Sequence, residues 1–343
     1  EQFIKQLNTG NLLKRLYFER GINHIRIDNN PDKAVEYIYK SLSLKMNYND
    51  NINIINETVL NAISYEKIGE YYQGFEYYDK AIESFNKGIE LSKNYEHLPE
   101  SLDAITKNTV TRMLFYLGNL YRFKADYQNA IMNFQEAYKL MSNDKAGAGR
   151  CLMNIGNIYR NIGNYSTALE NYLNALKLYG NLEVPDKASA YLNIGNIYQL
   201  QGKLKEALEN YNNSLNLIQN TQYKSLESGT YNHIGNVYFL KNDFEKAEEF
   251  YQKSYKLNLN INNKSGTAGN LSNFGRLAVV RNDMNKAKQY FDSALTLFSE
   301  LGMKGHIAGA YSNISNMFNE SIIKNDENHD VKIKNFKIGR AHV

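Results

Sequence analysis

Tryptophan is absent from the 343 residues, cysteine occurs once and proline three times. One cysteine, Cys151, excludes any disulfide within the chain and favours a reducing compartment, so a cytoplasmic setting is expected. Three prolines leave long helices few breaks. No run of about 18 apolar residues occurs, so no stretch is suited to cross a bilayer as a helix. No block of like charge stands out either. The net charge is +4 and spread along the chain, which argues against a tail that seeks nucleic acid or an anionic membrane. An initiating methionine and a signal-like segment are also missing, so the chain is read as a fragment.

Chemistry-bearing constellations are equally scarce. The six histidines, His24, His97, His233, His306, His329 and His342, show no metal-ligand spacing with one another or with Cys151. The Gly-rich "AGAGR" (146–150) lacks the Lys-Ser/Thr of a phosphate loop and reads as the small-residue start of a helix. Cys151 reads as an inert, partly buried thiol. Carboxylates fall on solvent faces such as "EKAEE" (245–249). The expectation is a protein that is not an enzyme and needs no cofactor and no metal.

What the chain does have is a repeat. "NIGNIY" at 154–159 returns at 193–198, and as "HIGNVY" at 233–238. Aligning on the small residue after an apolar one gives anchors Gly69, Gly118, Gly156, Gly195, Gly235, Gly275 and Ser315, spaced 49, 38, 39, 40, 40 and 40 residues. Twelve residues after each of the first six stands an alanine: Ala81, Ala130, Ala168, Ala207, Ala247 and Ala287. Four further on comes an aromatic: Phe85, Phe134, Tyr172, Tyr211, Tyr251 and Phe291. Within a unit Leu192, Gly195 and Tyr198 share one helical face, a turn follows with Gly202, and Ala207, Tyr211 and Ser214 form a stripe on a second helix. A single helix pair cannot bury such a face, whereas stacked pairs can.

This order of residues resembles the tetratricopeptide repeat family: Leu114, Leu117-Gly118, Tyr121, Ala130, Phe134, Ala137, and again Leu152, Ile155-Gly156, Tyr159, Ala168, Tyr172, Ala175. The unit of about 40 residues is longer than the usual 34 or so. The resemblance implies an all-α fold, an α-α superhelix: a right-handed solenoid of stacked antiparallel helix pairs with a concave groove. It covers 62–323, about six regular units plus a partial last one. Residues 1–61 are expected to hold a divergent repeat, with "PDKAVEYIYKSLSL" as its second helix opening at Pro31, and a linker over 46–61. Residues 324–337 read as a polar tail. The last six, "IGRAHV" (338–343), fit no upstream pattern and are read as a non-native artefact, because their back-translation can match a sequencing adapter.

Asparagine is the feature packing does not explain. With each anchor counted as position 8 of its first helix, position 9 reads Glu70, Asn119, Asn157, Asn196, Asn236, Arg276, Asn316, and position 6 reads Lys67, Tyr116, Asn154, Asn193, His233, Asn273, Asn313. Asparagines number 49 of 343, so composition alone predicts one in seven at each position; five and four are found. Asn costs about 0.5 kcal/mol inside a helix relative to Ala, so something compensates. Both compensations stay open: bonds to neighbouring helices, or bonds to the backbone of an extended peptide, for which an amide offers donor and acceptor together.

Arginine is the second signal. Only 10 of the 40 basic residues are Arg, yet Arg112, Arg122, Arg150 and Arg160 fill positions 2 and 12 of two consecutive first helices, and Arg276 joins at position 9. Arg presents a bidentate fork to carboxylates, so a basic section of groove is expected in the units beginning near 111 and 149. Position 5 carries Glu66, Phe115 and Met153, where the family's clamp for chaperone tails has lysine. Leu200, Phe239, Leu240, Val279 and Val280, at positions 12 and 13, make the later units more apolar.

The resemblance therefore implies a non-enzymatic interaction module or scaffold binding an extended peptide or partner helix, and the arginines point to an acidic segment in that ligand. The candidate binding set is Asn119, Asn154, Asn157, Asn193, Asn196, Asn236, Arg276, Asn313, Asn316, Arg112, Arg122, Arg150 and Arg160. The alternative is the sensory region of a larger bacterial signalling protein, a histidine kinase or DNA-binding regulator. A stand-alone peptide-binding regulator ranks lower, since residues 1–60 are short for the helical bundle it needs. Direct RNA binding ranks lower still, because no base-reading pair recurs per repeat.

Overall fold

The structure, a computed structural model, describes residues 9–26, 31–44, 51–93, 100–141, 143–180 and 185–324. Among these residues it holds helices and no strand. The first eight are α1 (Thr9–Arg26), α2 (Pro31–Ser43), α3 (Asn51–Gly74), α4 (Tyr78–Lys93), α5 (Glu100–Phe123), α6 (Tyr127–Leu140), α7 (Lys145–Asn161) and α8 (Tyr165–Tyr179). They are followed by α9 (Pro185–Leu200), α10 (Leu204–Ile218), α11 (Lys224–Leu240), α12 (Phe244–Asn260), α13 (Lys264–Val280), α14 (Met284–Glu300) and α15 (Lys304–Lys324). The chain divides into two compact units, Glu1–Leu178 and Tyr179–Val343. Within each, successive helices pack as antiparallel pairs, the arrangement the repeat predicts.

The anchors explain the pairing. A Cβ added at Gly69, Gly118, Gly156, Gly195, Gly235 or Gly275 would meet a ring carbon of Phe85, Phe134, Tyr172, Tyr211, Tyr251 or Phe291 well under 3.0 Å away. Glycine thus lets the ring of the second helix lie directly on the backbone of the first. The six alanines beside those rings are completely buried. Each buried aromatic ring contributes about 2–3 kcal/mol through area removed from water. In the first unit Phe85 and Phe134 join one core with Met113, Leu114 and Leu117. In the second unit Tyr211 packs with Ile234 and Val237, Tyr251 with Leu277, and Phe291 with Met317.

The turn inside each repeat follows one rule. The residue seven after the anchor has positive φ: Glu76 (63°), Ala125 (59°), Gly163 (80°), Gly202 (72°), Asn242 (58°) and Asn282 (63°). The expected role of Gly202 at a helix end is this left-handed turn. The next residue often caps the second helix: Asp126, Asn164, Asp243 and Asp283 accept backbone N–H bonds from Asn129, Thr167, Lys246 and Lys286 at 3.1–3.2 Å.

At the N-terminus α2 starts at Pro31 and buries Ala34 and Ile38. The segment expected as a linker over 46–61 is, from Asn51 onward, the beginning of α3. Lys14, fully buried, ties this region together: its Nζ donates to Glu57 Oε1 (2.6 Å) and to the Leu44 carbonyl (3.2 Å). At the other end α15 continues past Phe318 to Lys324. Residues 325–343, which include nearly all of the polar tail and the whole terminal hexapeptide, lie outside the described residues, as do 46–50.

Candidate functional site

Three of the position-9 asparagines have a structural partner. The Tyr172 hydroxyl donates to Asn157 Oδ1, Tyr211 to Asn196 Oδ1 and Tyr251 to Asn236 Oδ1, each at 2.8 Å. Burial pushes the Tyr172 phenol up to about 12, the nearby Arg160 charge opposing it. Burial raises Tyr211 and Tyr251 as well, with Arg276 opposing the shift at Tyr251. These hydroxyls therefore stay protonated and able to donate at neutral pH. Where the ring is Phe, position 9 behaves differently. Glu70 pairs with Lys67 (2.7 Å) and accepts from the Tyr116 hydroxyl (3.3 Å). Asn119 turns its Nδ2 onto the Phe115 carbonyl of its own helix (3.1 Å).

In the first unit the arginines diverge. Arg112 on α5 forms a fork on Glu66 of α3, Nε to Oε1 at 2.5 Å and Nη2 to Oε2 at 2.8 Å, and the Glu66 side chain has no exposure. Its bidentate capacity is thus taken by the protein itself. Arg112 and Arg150 line a cleft of about 900 Å³ together with Asp103, Lys107, Phe115, Met141 and Asp144. The cleft exists because α5 begins seven residues earlier than α7 relative to the anchor, an overhang of about 10 Å. Lys107 is paired with Asp103 at 2.7 Å, and Asp144 caps α7 on the Gly147 N–H at 2.8 Å. Arg122 and Arg160 sit half-buried in the last turns of α5 and α7, apart from the lining of this cleft. Asn154, half-buried, bonds the Arg150 carbonyl through its Nδ2 (3.0 Å).

The second unit offers a smaller, differently composed site. Gln199 of α9, Asn232, Asn236 and Leu240 of α11, and Gly269, Asn273 and Arg276 of α13 line a cleft of about 350 Å³. Arg276 Nη1 donates to Asn273 Oδ1 (3.1 Å) and Asn236 Oδ1 (3.5 Å), and its guanidinium lies 4.2 Å over the Phe239 ring. Asn273 Nδ2 donates to Asn232 Oδ1 (2.7 Å). Behind them sits a buried polar seam between α12 and α13. Asn270 Nδ2 donates to Ser254 Oγ (2.9 Å) and Asn232 Oδ1 (3.3 Å), Asn258 Nδ2 donates to Asn270 Oδ1 (2.8 Å), and Ser228 Oγ donates to Asn258 Oδ1 (2.9 Å). Asn193 is half-buried on α9; on α15 Asn313 is half-buried and Asn316 exposed. These three, and Asn196, are not part of this cleft.

Sequence reasoning thus named Asn236 and Arg276 of this cleft and did not select Gln199, Asn232, Gly269 or Asn273. For the seam behind the cleft the available signal was departure from the repeat. Asn258 stands where other units place Ile218 and Phe298, and Asn270 where they place Ala190 and Ala310. Cys151 is buried, and burial raises its thiol to about 12, the response of an unreactive cysteine. Among the described residues no group of three His, Cys, Asp or Glu could hold a metal ion, and no helix is long and apolar enough to cross a membrane.

Stacked helix pairs that present side chains from each first helix on a shared face define the class of helical-repeat interaction modules. The Tetratricopeptide repeat profile matches residues 109–181 and 186–260, and two related profiles of the same description match 153–215 and 62–95. The chain belongs to the tetratricopeptide repeat family. Such repeats generally bind proteins or peptides, and the fold is generally a non-enzymatic scaffold. No curated protein matches the sequence. Similar solved structures include the apo form of RapI, with a TM-score of 0.60 and 13% identity over 84% of this chain and 99% of that one. BtubC (BKLC) from P. vanneervenii has a TM-score of 0.55 and 16% identity over 69% and 91%. The C-terminal part of a TPR repeat-containing protein from Cytophaga hutchinsonii has 0.51 and 16% over 82% and 95%. At these identities the likeness concerns the fold.

Proposed function

We propose that the chain is a non-enzymatic scaffold whose repeat array covers 62–323, and that the first helices of its second unit hold an extended peptide or a partner helix. The observation that supports this most is the cleft of the second unit. Three consecutive first helices converge there with amides and a guanidinium, groups that suit a peptide backbone and its acidic side chains. Asn157, Asn196 and Asn236 serve both ends in this reading: the oxygen holds the tyrosine of the same repeat, and the amide's nitrogen end is directed elsewhere.

Site-specific photo-crosslinking tests it without disturbing those bonds. A benzophenone amino acid at Leu240, exposed beside the cleft, is compared with one at Glu209, exposed on the second helix α10. In a lysate of the source cells, capture of a discrete protein or peptide from Leu240 and not from Glu209 is expected. Equal capture from both positions, or capture from Glu209 alone, contradicts the proposal.

A further inference from the structure

We infer that the cleft between α9, α11 and α13 is a carboxylate site, and that the ligand segment it takes is an acidic side chain flanked by apolar ones. The inference rests on the peptide-binding reading and specifies its ligand.

The argument starts from what a guanidinium cannot do. Arg has donors and no acceptor, so the amide atoms it touches on Asn273 and Asn236 must be oxygens. That fixes Asn273 with its Nδ2 towards Asn232, which in turn must offer Oδ1. Asn232 Oδ1 also receives Asn270, and Asn236 Oδ1 also receives Tyr251. The oxygens of Asn232, Asn236 and Asn273 are therefore all occupied by neighbours. What remains for a ligand is the NH2 of Asn232, the NH2 of Asn236 and the remaining guanidinium N–H groups. The capacity left over is thus dominated by donors around one positive charge, against one further lone pair each on Asn273 Oδ1, which accepts from Arg276, and Gln199 Oε1, which accepts from Tyr211.

Among the described residues no carboxylate pairs with Arg276 and none lines the cleft. By contrast Arg112 is paired with Glu66, and Arg281 with Glu248 at 2.7 Å. One guanidinium with planar amide donors matches a monoanionic, planar carboxylate better than a phosphate dianion. A volume near 350 Å³ is at the small end for ligand pockets, which run from about 300 to 1,000 Å³, and suits a side chain rather than a cofactor. The apolar flanks come from Leu240 in the cleft wall, with Leu200 and Val280 at the same helical position of α9 and α13; all three are exposed. Adjacent helix axes lie about 8–10 Å apart, and an extended chain advances about 3.3 Å per residue. In the polyproline II form of an extended chain, with three residues per turn and a rise of about 3.1 Å, apolar residues at every third position share one face and keep step with the helices.

Gly269 gives a clean handle. It is helical, lines the cleft, and a Cβ there meets nothing within 4 Å, so substitutions fill the cleft without straining the fold. The probes are fluorescein-labelled peptides with leucine at every third position and one glutamate, a matched set with glutamine, and a set with phosphoserine. Fluorescence anisotropy is expected to show at least tenfold tighter binding of the glutamate set. Arg276→Gln and Gly269→Glu are expected to abolish that preference, and Gly269→Gln to weaken all sets alike. Equal affinity for glutamate and glutamine peptides, or a preference that survives Arg276→Gln, overturns the carboxylate site. Tighter binding of the phosphoserine set overturns it in favour of phosphate. Failure of every set to bind overturns it too; the peptide-binding reading then falls only if Leu240 also captures no partner.

Discussion

Arg112 and Arg276 are two guanidiniums in comparable settings with opposite fates. Each reaches from one first helix to the preceding one. Arg112 in the first unit finds Glu66, a carboxylate with no exposure, and closes a fork on it. Among the described residues, Arg276 in the second unit finds amide oxygens and the face of Phe239 and no carboxylate. The first is the counter-ion of a buried charge and belongs to the fold. The second keeps its charge uncompensated beside a cleft. Residue type and reach to the preceding first helix do not separate them; the chemistry of the partner on that helix does.

The largest effect that sharpens this contrast is on stability. Arg112→Met strands the Glu66 carboxylate, and we expect a loss of about 2–3 kcal/mol by urea titration, below the range for fully buried pairs because Arg112 is half exposed. Restoring most of that loss with Glu66→Leu in the Arg112→Met background is the accompanying expectation. Next is the anchor glycine. Gly195→Ala drives a methyl into the Tyr211 ring and should cost about 1–3 kcal/mol, whereas Gly269→Ala on the first helix α13 should be neutral or stabilising, since alanine is the better helix former. Tyr211→Phe removes the donor on Asn196 and should cost about 1 kcal/mol; the same hydroxyl stands 2.8 Å from Gln199 Oε1, so part of the loss is shared with that contact. The smallest is at the turn. Ala125→Gly at φ 59° should stabilise the first unit by about 0.5–1 kcal/mol, and thermal melting of the two proteins side by side reads it.

The fold was legible because its determinants recur. The anchor, the alanine twelve residues on and the aromatic four beyond that are one contact repeated six times, and each copy strengthens the reading of the others. The divergent second helix at Pro31 was readable from the same stripe. The start of α3 at Asn51 was not, because it runs ahead of the repeat pattern and its asparagines read as linker. The site was less legible. The link between Asn157 and Tyr172, Asn196 and Tyr211, or Asn236 and Tyr251 was present in the sequence as Tyr wherever these asparagines stand, fifteen residues apart. It was hidden by Asn119, which faces Phe134 and bonds its own helix instead. The Arg112–Glu66 fork falls outside the regular offset, since the first interval is 49 residues and the later ones are 38 to 40. Asn232 and Asn270 were obscured by the abundance of asparagine. Asn270 is marked by standing where other units place alanine, and Asn232 by the hydrogen-bond direction that Arg276 imposes through Asn273.

The central claim is that Arg276 serves a ligand and Arg112 serves the fold. The direct measurement is a paired one on Arg276→Gln: melting temperature, and affinity for the glutamate peptide relative to its glutamine counterpart. The account predicts a melting temperature within a degree or two of the parent, about 0.5 kcal/mol or less, together with a loss of the glutamate preference of tenfold or more. A preference unchanged while the melting temperature drops as far as it does in Arg112→Met would contradict it.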